Sequence, residues 1–203
     1  MDSTLSISPL PMWFVTRSWP TSWPPTNGAI PVMADPYSPT GEAAPPHIVV
    51  ANAQDEVAVD LDRWARLAGH ALAAEGAVGE MTLTFIDRDE IAALKERYLG
   101  GSGPTDVLSF PLDTSEAPTI GDEPALIGDV VICPSVAHDQ APDHAGTLDD
   151  EIALLVVHGC LHLVGYDHAD PAETAVMRGR ERELLSEWHW NGPVPPGFRQ
   201  EQD

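Results

Sequence analysis

The chain has 203 residues, enough for one domain plus additional segments, and 43% hydrophobic residues against 21% charged can bury a sizeable core. Thirty-two Asp and Glu face ten Lys and Arg, a formal charge of -22, which excludes a generally basic nucleic-acid coat or a polybasic membrane binder. Two cysteines, Cys133 and Cys160, make no disulfide framework and fit a reducing compartment.

Residues 1–46 hold 10 of the 20 prolines and three of the six tryptophans, with almost no helical or strand periodicity. Their composition predicts a disordered extension and leaves Met33 as an alternative translation start. The opening MDSTLSISPLPMWFV lacks a basic leader region, and no apolar run approaches the ~20 residues of a membrane span. These features together predict a cytoplasmic protein.

The domain is expected over 47–190. HIVVAN at 47–52 reads as a short strand, and Leu61, Trp64, Ala65, Ala68 and Leu72 recur at helical spacing. Met81, Leu83 and Phe85 alternate with polar residues, the period of a half-buried strand. A short helix is predicted from about Asp89 to Tyr98, then a glycine-rich loop at 100–104. DVLSFPL at 106–112 reads as a strand whose Pro111 marks an edge or an end. An acidic loop, 113–125, leads to the strand LIGDVVIC at 126–133. Strands interleaved with helices, followed by a helical C-terminal half, predict a single α+β domain with a mixed sheet of about four strands. Residues 191–203, with Pro193, Pro195 and Pro196, read as a flexible tail.

The segment TLDDEIALLVVHGCLHLVGYDHADPAE, 147–173, carries the chemistry. Thr147 stands where an N-cap belongs, and Asp149, Asp150 and Glu151 suit the positive end of a helix dipole. Apolar residues then run nearly all round, so this helix is expected to be central and buried. His158 and His162, four residues apart, share one face; Gly165 ends the helix, and His168 follows close enough to reach the same point. Asp170, Pro171 and Glu173 read as the start of the next helix. Three neutral imidazoles suit one Zn²⁺ with its fourth position left open, because Cys160 points to another helix face. The spacing H-x-x-x-H-x-x-G-x-x-H equals that of metzincin proteases, except that Gly159 replaces their glutamate base. Without that carboxylate a protease lacks the group that takes a proton from water. Of the other histidines, His138 and His144 are the ones worth following. Asp167 reads as a turn residue or as a group that orients a ligand.

HGCLHLVGYDH at 158–168 resembles the signature of the YbeY-type endoribonucleases, bacterial rRNA maturation factors. GPTDVLSFPLD at 103–113 and IGDVVICP at 127–134 match two further blocks of that family, in the same order. The resemblance implies one metal on His158, His162 and His168. It also implies single-strand-specific cleavage of RNA in 16S rRNA 3′-end maturation and ribosome quality control. The implied partners are the 16S precursor and the small ribosomal subunit with its proteins, with no role for DNA or membrane. Thr105, Asp106 and Ser109 are implied to line the RNA cleft, or else they satisfy loop backbone. Where the family often carries an arginine this chain has Leu99, and Arg97 either supplies a phosphate clamp from the neighbouring turn or is a solvated helix-face charge. RGRER at 178–182 either touches phosphates or forms a salt-bridged solvated face. Two rivals stand beside the endoribonuclease: a metalloprotease, which Gly159 opposes, and a non-catalytic ribosome-assembly factor with a structural metal, which the strong negative charge favours.

Overall fold

The computed structural model describes residues 45–112 and 125–200. The disordered-extension reading therefore falls, but for Pro45 and Pro46, outside the described residues, as does most of the acidic loop. Four strands, β1 (His47–Asn52), β2 (Glu80–Phe85), β3 (Val107–Pro111) and β4 (Leu126–Ile132), form one sheet in the order β1-β2-β4-β3. β1, β2 and β4 run parallel, with His47 opposite Glu80 and Leu83 opposite Val130, whereas β3 pairs antiparallel to β4. β3 is thus an edge strand, which is where Pro111 can be tolerated.

Among the described residues five helices cover the sheet: α1 (Leu61–Ala74), α2 (Arg88–Leu99), α3 (Pro134–Gln140), α4 (Leu148–Leu163) and α5 (Pro171–Trp188). The alternation read in β2 holds, with Met81, Leu83 and Phe85 fully buried. These residues join Val130 and Ile132 of β4, Trp64 and Leu72 of α1, and the apolar length of α4 in the larger core. Val131 of β4, Leu108 and Phe110 of β3 and Ile91 of α2 make a second, smaller cluster with Val136 of α3, so the sheet is covered on both faces. From Glu151 to Leu163 every residue of α4 is buried. That follows from its near-continuous apolar sequence, because a helix without a polar face must be surrounded. Each fully buried leucine there contributes about 1.5–3 kcal/mol relative to leaving it exposed.

Capping agrees with the sequence. The Thr147 hydroxyl accepts the Asp150 amide at 3.1 Å, and the Asp170 carboxylate accepts the amides of Ala172 and Glu173. Two features depart from it. α3 is a seven-residue helix with no side-chain cap, marked in sequence only by Pro134 at its start, too short to carry a readable period. Residues 191–200, read as part of a flexible tail, fold back: Phe198 meets Trp190 edge-on at 4.8 Å, and Gln200 is 5% exposed. None of the described helices is long and apolar enough to cross a membrane.

Candidate metal centre

The centre is built at the C-terminal end of α4. Gly165, at φ 96°, closes the helix in a left-handed conformation that a side chain would strain. The Tyr166 amide then donates to the Leu161 carbonyl and the Gly165 amide to the His162 carbonyl, the paired bonds of a Schellman turn. This reversal carries the chain back over the last turn of α4, so His168 arrives beside His158 and His162. The ring centroids form a triangle of 4.5, 5.1 and 5.3 Å. One ring nitrogen from each histidine lies within 4.8 Å of the others. His158 and His162 are buried and His168 is half-buried.

Two of the remaining ring nitrogens are held. His158 Nδ1 donates to Glu181 Oε1 at 2.8 Å, and His162 Nδ1 donates to the Tyr166 carbonyl at 2.9 Å. These bonds place the proton on Nδ1 and turn both Nε2 lone pairs inward, the arrangement that prepares an imidazole to bind a metal. The two Nε2 atoms are 3.0 Å apart; two nitrogens on one tetrahedral zinc at bond lengths of about 2.0–2.1 Å would stand at roughly 3.3 Å. Burial, with the neighbouring His158 and His168, pushes the His162 pKa down to about 3, and burial likewise lowers that of His168. Both rings are therefore neutral near pH 7, as ligands must be. The donor set fits a borderline divalent ion held by three imidazoles.

Glu181 is the residue sequence reasoning missed. The RGRER run is neither a uniform solvated face nor a uniform basic one. Glu181 is 2% exposed and turned to His158, whereas Arg180 pairs with Glu75 at 2.6 Å and Glu183 at 2.8 Å. The signal was present in the spacing of Met177, Glu181, Leu184 and Leu185, all buried on one face of α5. Gln200 adds a second brace, donating from Nε2 to Glu181 Oε2 at 2.6 Å and to the Arg178 carbonyl at 2.9 Å. Glu181→Ala should weaken metal affinity by about 10- to 100-fold without unfolding the domain. Competition with a chromophoric chelator reads this, and an unchanged affinity would remove Glu181 from the centre.

The other sequence candidates are placed as follows. Arg97 lies exposed in the last turn of α2 with its guanidinium 5.2 Å from the Tyr98 ring centroid, and it forms no ion pair among the described residues. Leu99 packs against the smaller core cluster. The Thr105 hydroxyl donates to Asp106 Oδ1, which also accepts the Val107 amide, so both shape the entry to β3. Ser109 faces α4: its Oγ lies 3.2 Å from where a Cβ on Gly159 would be. That same Cβ would come within 2.6 Å of Val130 Cγ1. The position that carries the glutamate base in metzincins is here pressed against the sheet. Asp167 accepts the His168 amide at 2.7 Å and is a turn residue. His144 Nδ1 sits 3.4 Å from buried Glu151, and exposed His138 lies 3.6 Å from Asp139, so neither joins the triad.

A mixed sheet is backed by a buried helix whose two histidines converge with a third past a glycine turn, which defines an α+β domain with a three-imidazole cluster that could hold a metal ion. A family model described as Endoribonuclease YbeY matches residues 49–189. Endoribonuclease YbeY of Salinispora tropica is 44% identical over 139 residues, covering 64% of this chain and 88% of that protein. Its counterpart from Thermobifida fusca is 45% identical over 145 residues, covering 70% and 93%. The solution structure of TM1509 from Thermotoga maritima matches with a TM-score of 0.49 at 24% identity, over 75% of this chain and 99% of that one. The chain belongs to the YbeY endoribonuclease family.

Proposed function

We propose that the protein is a zinc-dependent endoribonuclease that cuts single-stranded RNA, acting in the cytoplasm on the 3′ end of 16S ribosomal RNA precursors and in ribosome quality control. The observation that carries this reading is the convergence of His158, His162 and His168, with the Nδ1 protons of His158 and His162 already committed. Family membership supports RNA as the substrate. When bound, a zinc ion would supply Lewis-acid polarisation of a phosphodiester and of water. The protein's own part is to hold that donor set rigid. Glu181 fixes the orientation of His158, the Tyr166 carbonyl fixes that of His162, and the Schellman turn fixes the approach of His168. Half-buried His168 leaves the centre accessible from one side.

Arg97 is our candidate for the phosphate clamp that stands in for the family arginine replaced by Leu99. Thr105, Asp106 and Ser109 are our candidates for lining the RNA path along the edge of the sheet. The small ribosomal subunit is the proposed partner, because a chain of charge -22 is repelled by RNA unless a ribosomal surface or a local cationic patch positions it.

The test is a gel assay of zinc-loaded protein on single-stranded RNA, duplex RNA and casein. Cleavage of the single strand alone is expected. Arg97→Ala should cut that cleavage by roughly 10²-fold, the size seen when a contact to transition-state charge is removed. Digestion of casein, or intact RNA of every form including assembled small subunits, would refute the proposal.

A further inference from the structure

A chain this acidic needs a local cationic surface to grip a polyanion, and the middle of α5 bears on that. Beside the metal centre lies an open groove of about 730 Å³, lined by His168, Asp170, Thr174, Arg178 and Arg182 among others. A smaller cavity of about 150 Å³ adjoins it, lined by His158, His168, Glu181 and Gln200, with Arg178 common to both. His168 and Thr174 also line both spaces, so Arg178 borders the groove and the histidine cluster alike.

Three arginines elsewhere are ion-paired, whereas Arg66, Lys95, Arg97 and Arg199 form no ion pair among the described residues but line neither of these two spaces. Arg63 pairs with Asp149, Arg88 with Asp139, and Arg180 with Glu75 and Glu183. Arg178 and Arg182 form no ion pair among the described residues. They are four residues apart on one helix, so their Cβ atoms lie about 5–6 Å from each other on the same face. The carboxylates of α5 that would neutralise them are engaged elsewhere: Glu181 with His158 and Gln200, Glu183 with Arg180. Asp170 also lines the groove, but its Oδ1 caps the amides of Ala172 and Glu173. Gln200 donates to the Arg178 carbonyl and so anchors this stretch of helix from the folded-back tail.

We propose that Arg178 and Arg182 form a phosphate-binding track that leads the backbone of single-stranded RNA along α5 to the centre of His158, His162 and His168. This inference rests on the endoribonuclease reading and names the surface by which that site takes its substrate. The ligand chemistry is that of successive phosphodiesters on one strand, because two guanidiniums on one helix face offer planar forks to neighbouring phosphates. Contacts to phosphates carry no sequence information, so the track should bind with little sequence preference.

The experiment measures binding of a short fluorescein-labelled single-stranded RNA to zinc-loaded full-length protein on ice, by anisotropy across a salt series. RNA integrity is checked on a gel, and cleavage rates are measured in parallel. The variants are Arg178→Gln, Arg182→Gln and both together, which keep long side chains but remove charge. Arg66→Gln, at an exposed arginine that lines neither cavity, controls for the lost charge. The double variant should bind on the order of tenfold more weakly at low salt, with the slope of log affinity against log salt reduced by about 0.7 per lost phosphate contact. Its KM should rise while kcat at saturating RNA, zinc content and melting temperature stay near wild type; Arg66→Gln should match wild type throughout. A double variant with wild-type affinity and slope overturns the track while leaving the endoribonuclease reading intact. Loss of zinc from it overturns the track too, because the arginines would then serve the centre itself. A wild-type protein that neither binds nor cuts RNA overturns both.

Discussion

Alanine at His158 or at His162 should strip the metal from the protein and reduce RNA cleavage to background. Each imidazole is one of the three proposed protein ligands, so removing one leaves two nitrogens, too few to hold a divalent ion against water and buffer. The effect should be larger than that of any residue that merely orients a ligand, for which about 10- to 100-fold is typical. Metal-binding energy is in part folding energy, so the variants should also melt at lower temperature than the loaded wild type. His144→Ala is the matched control. His144 is also a histidine beside a buried carboxylate, Glu151, but stands outside the triad and should leave metal content unchanged. Metal analysis by mass spectrometry, with circular dichroism to confirm the fold, reads all three. Full metal retention in the His158→Ala/His162→Ala double variant would contradict the site.

Gly159→Ala should destabilise the domain by about 1–3 kcal/mol, the range for forcing extra atoms into a packed core. The sign is the informative part. In an exposed helix interior the same change would stabilise by up to about 1 kcal/mol through helix propensity. Here a Cβ would sit 2.6 Å from Val130 Cγ1 and 2.9 Å from its Cγ2, and the stiff β-branched side chain of a central strand cannot swing away. Steric overlap therefore outweighs propensity. Gly159→Glu, which completes the metzincin pattern in sequence, should be worse still, because it drives a carboxylate against the buried sheet, and it should confer no peptidase activity. Urea denaturation measures the first change, and a gain in stability would show that α4 does not pack where the structure puts it.

The convergence of the three histidines was legible because it depends on local geometry. Spacing by four on a helix, a glycine stop and a third histidine just beyond it are readable without knowing the rest of the chain. The strands were legible for a similar reason, since Met81, Leu83 and Phe85 alternate, and Pro111 marked an edge or an end of β3, which is an edge strand. What supports the ligands was harder to see. Glu181 lies 23 residues from His158 along the chain, in a run whose alternating charges look like solvated surface, and only the packing of α5 on α4 turns it inward. Gln200 was hidden further, in a proline-rich stretch with no period, because its role comes from two side-chain hydrogen bonds rather than from secondary structure. The same packing divides the arginines. Arg180 is drawn to Glu75 of the α1 C-terminus, while Arg178 and Arg182 face the groove, a distinction that sequence spacing alone does not make.

The most direct test removes the metal and returns it. Protein stripped with a chelator and freed of it by gel filtration should not cut single-stranded RNA. Addition of one equivalent of Zn²⁺ should restore cleavage, with the rate saturating at one ion per chain. Undiminished cleavage by the stripped protein, or none after zinc has been shown to occupy the centre, would contradict the account that these three histidines hold the metal on which RNA cleavage depends.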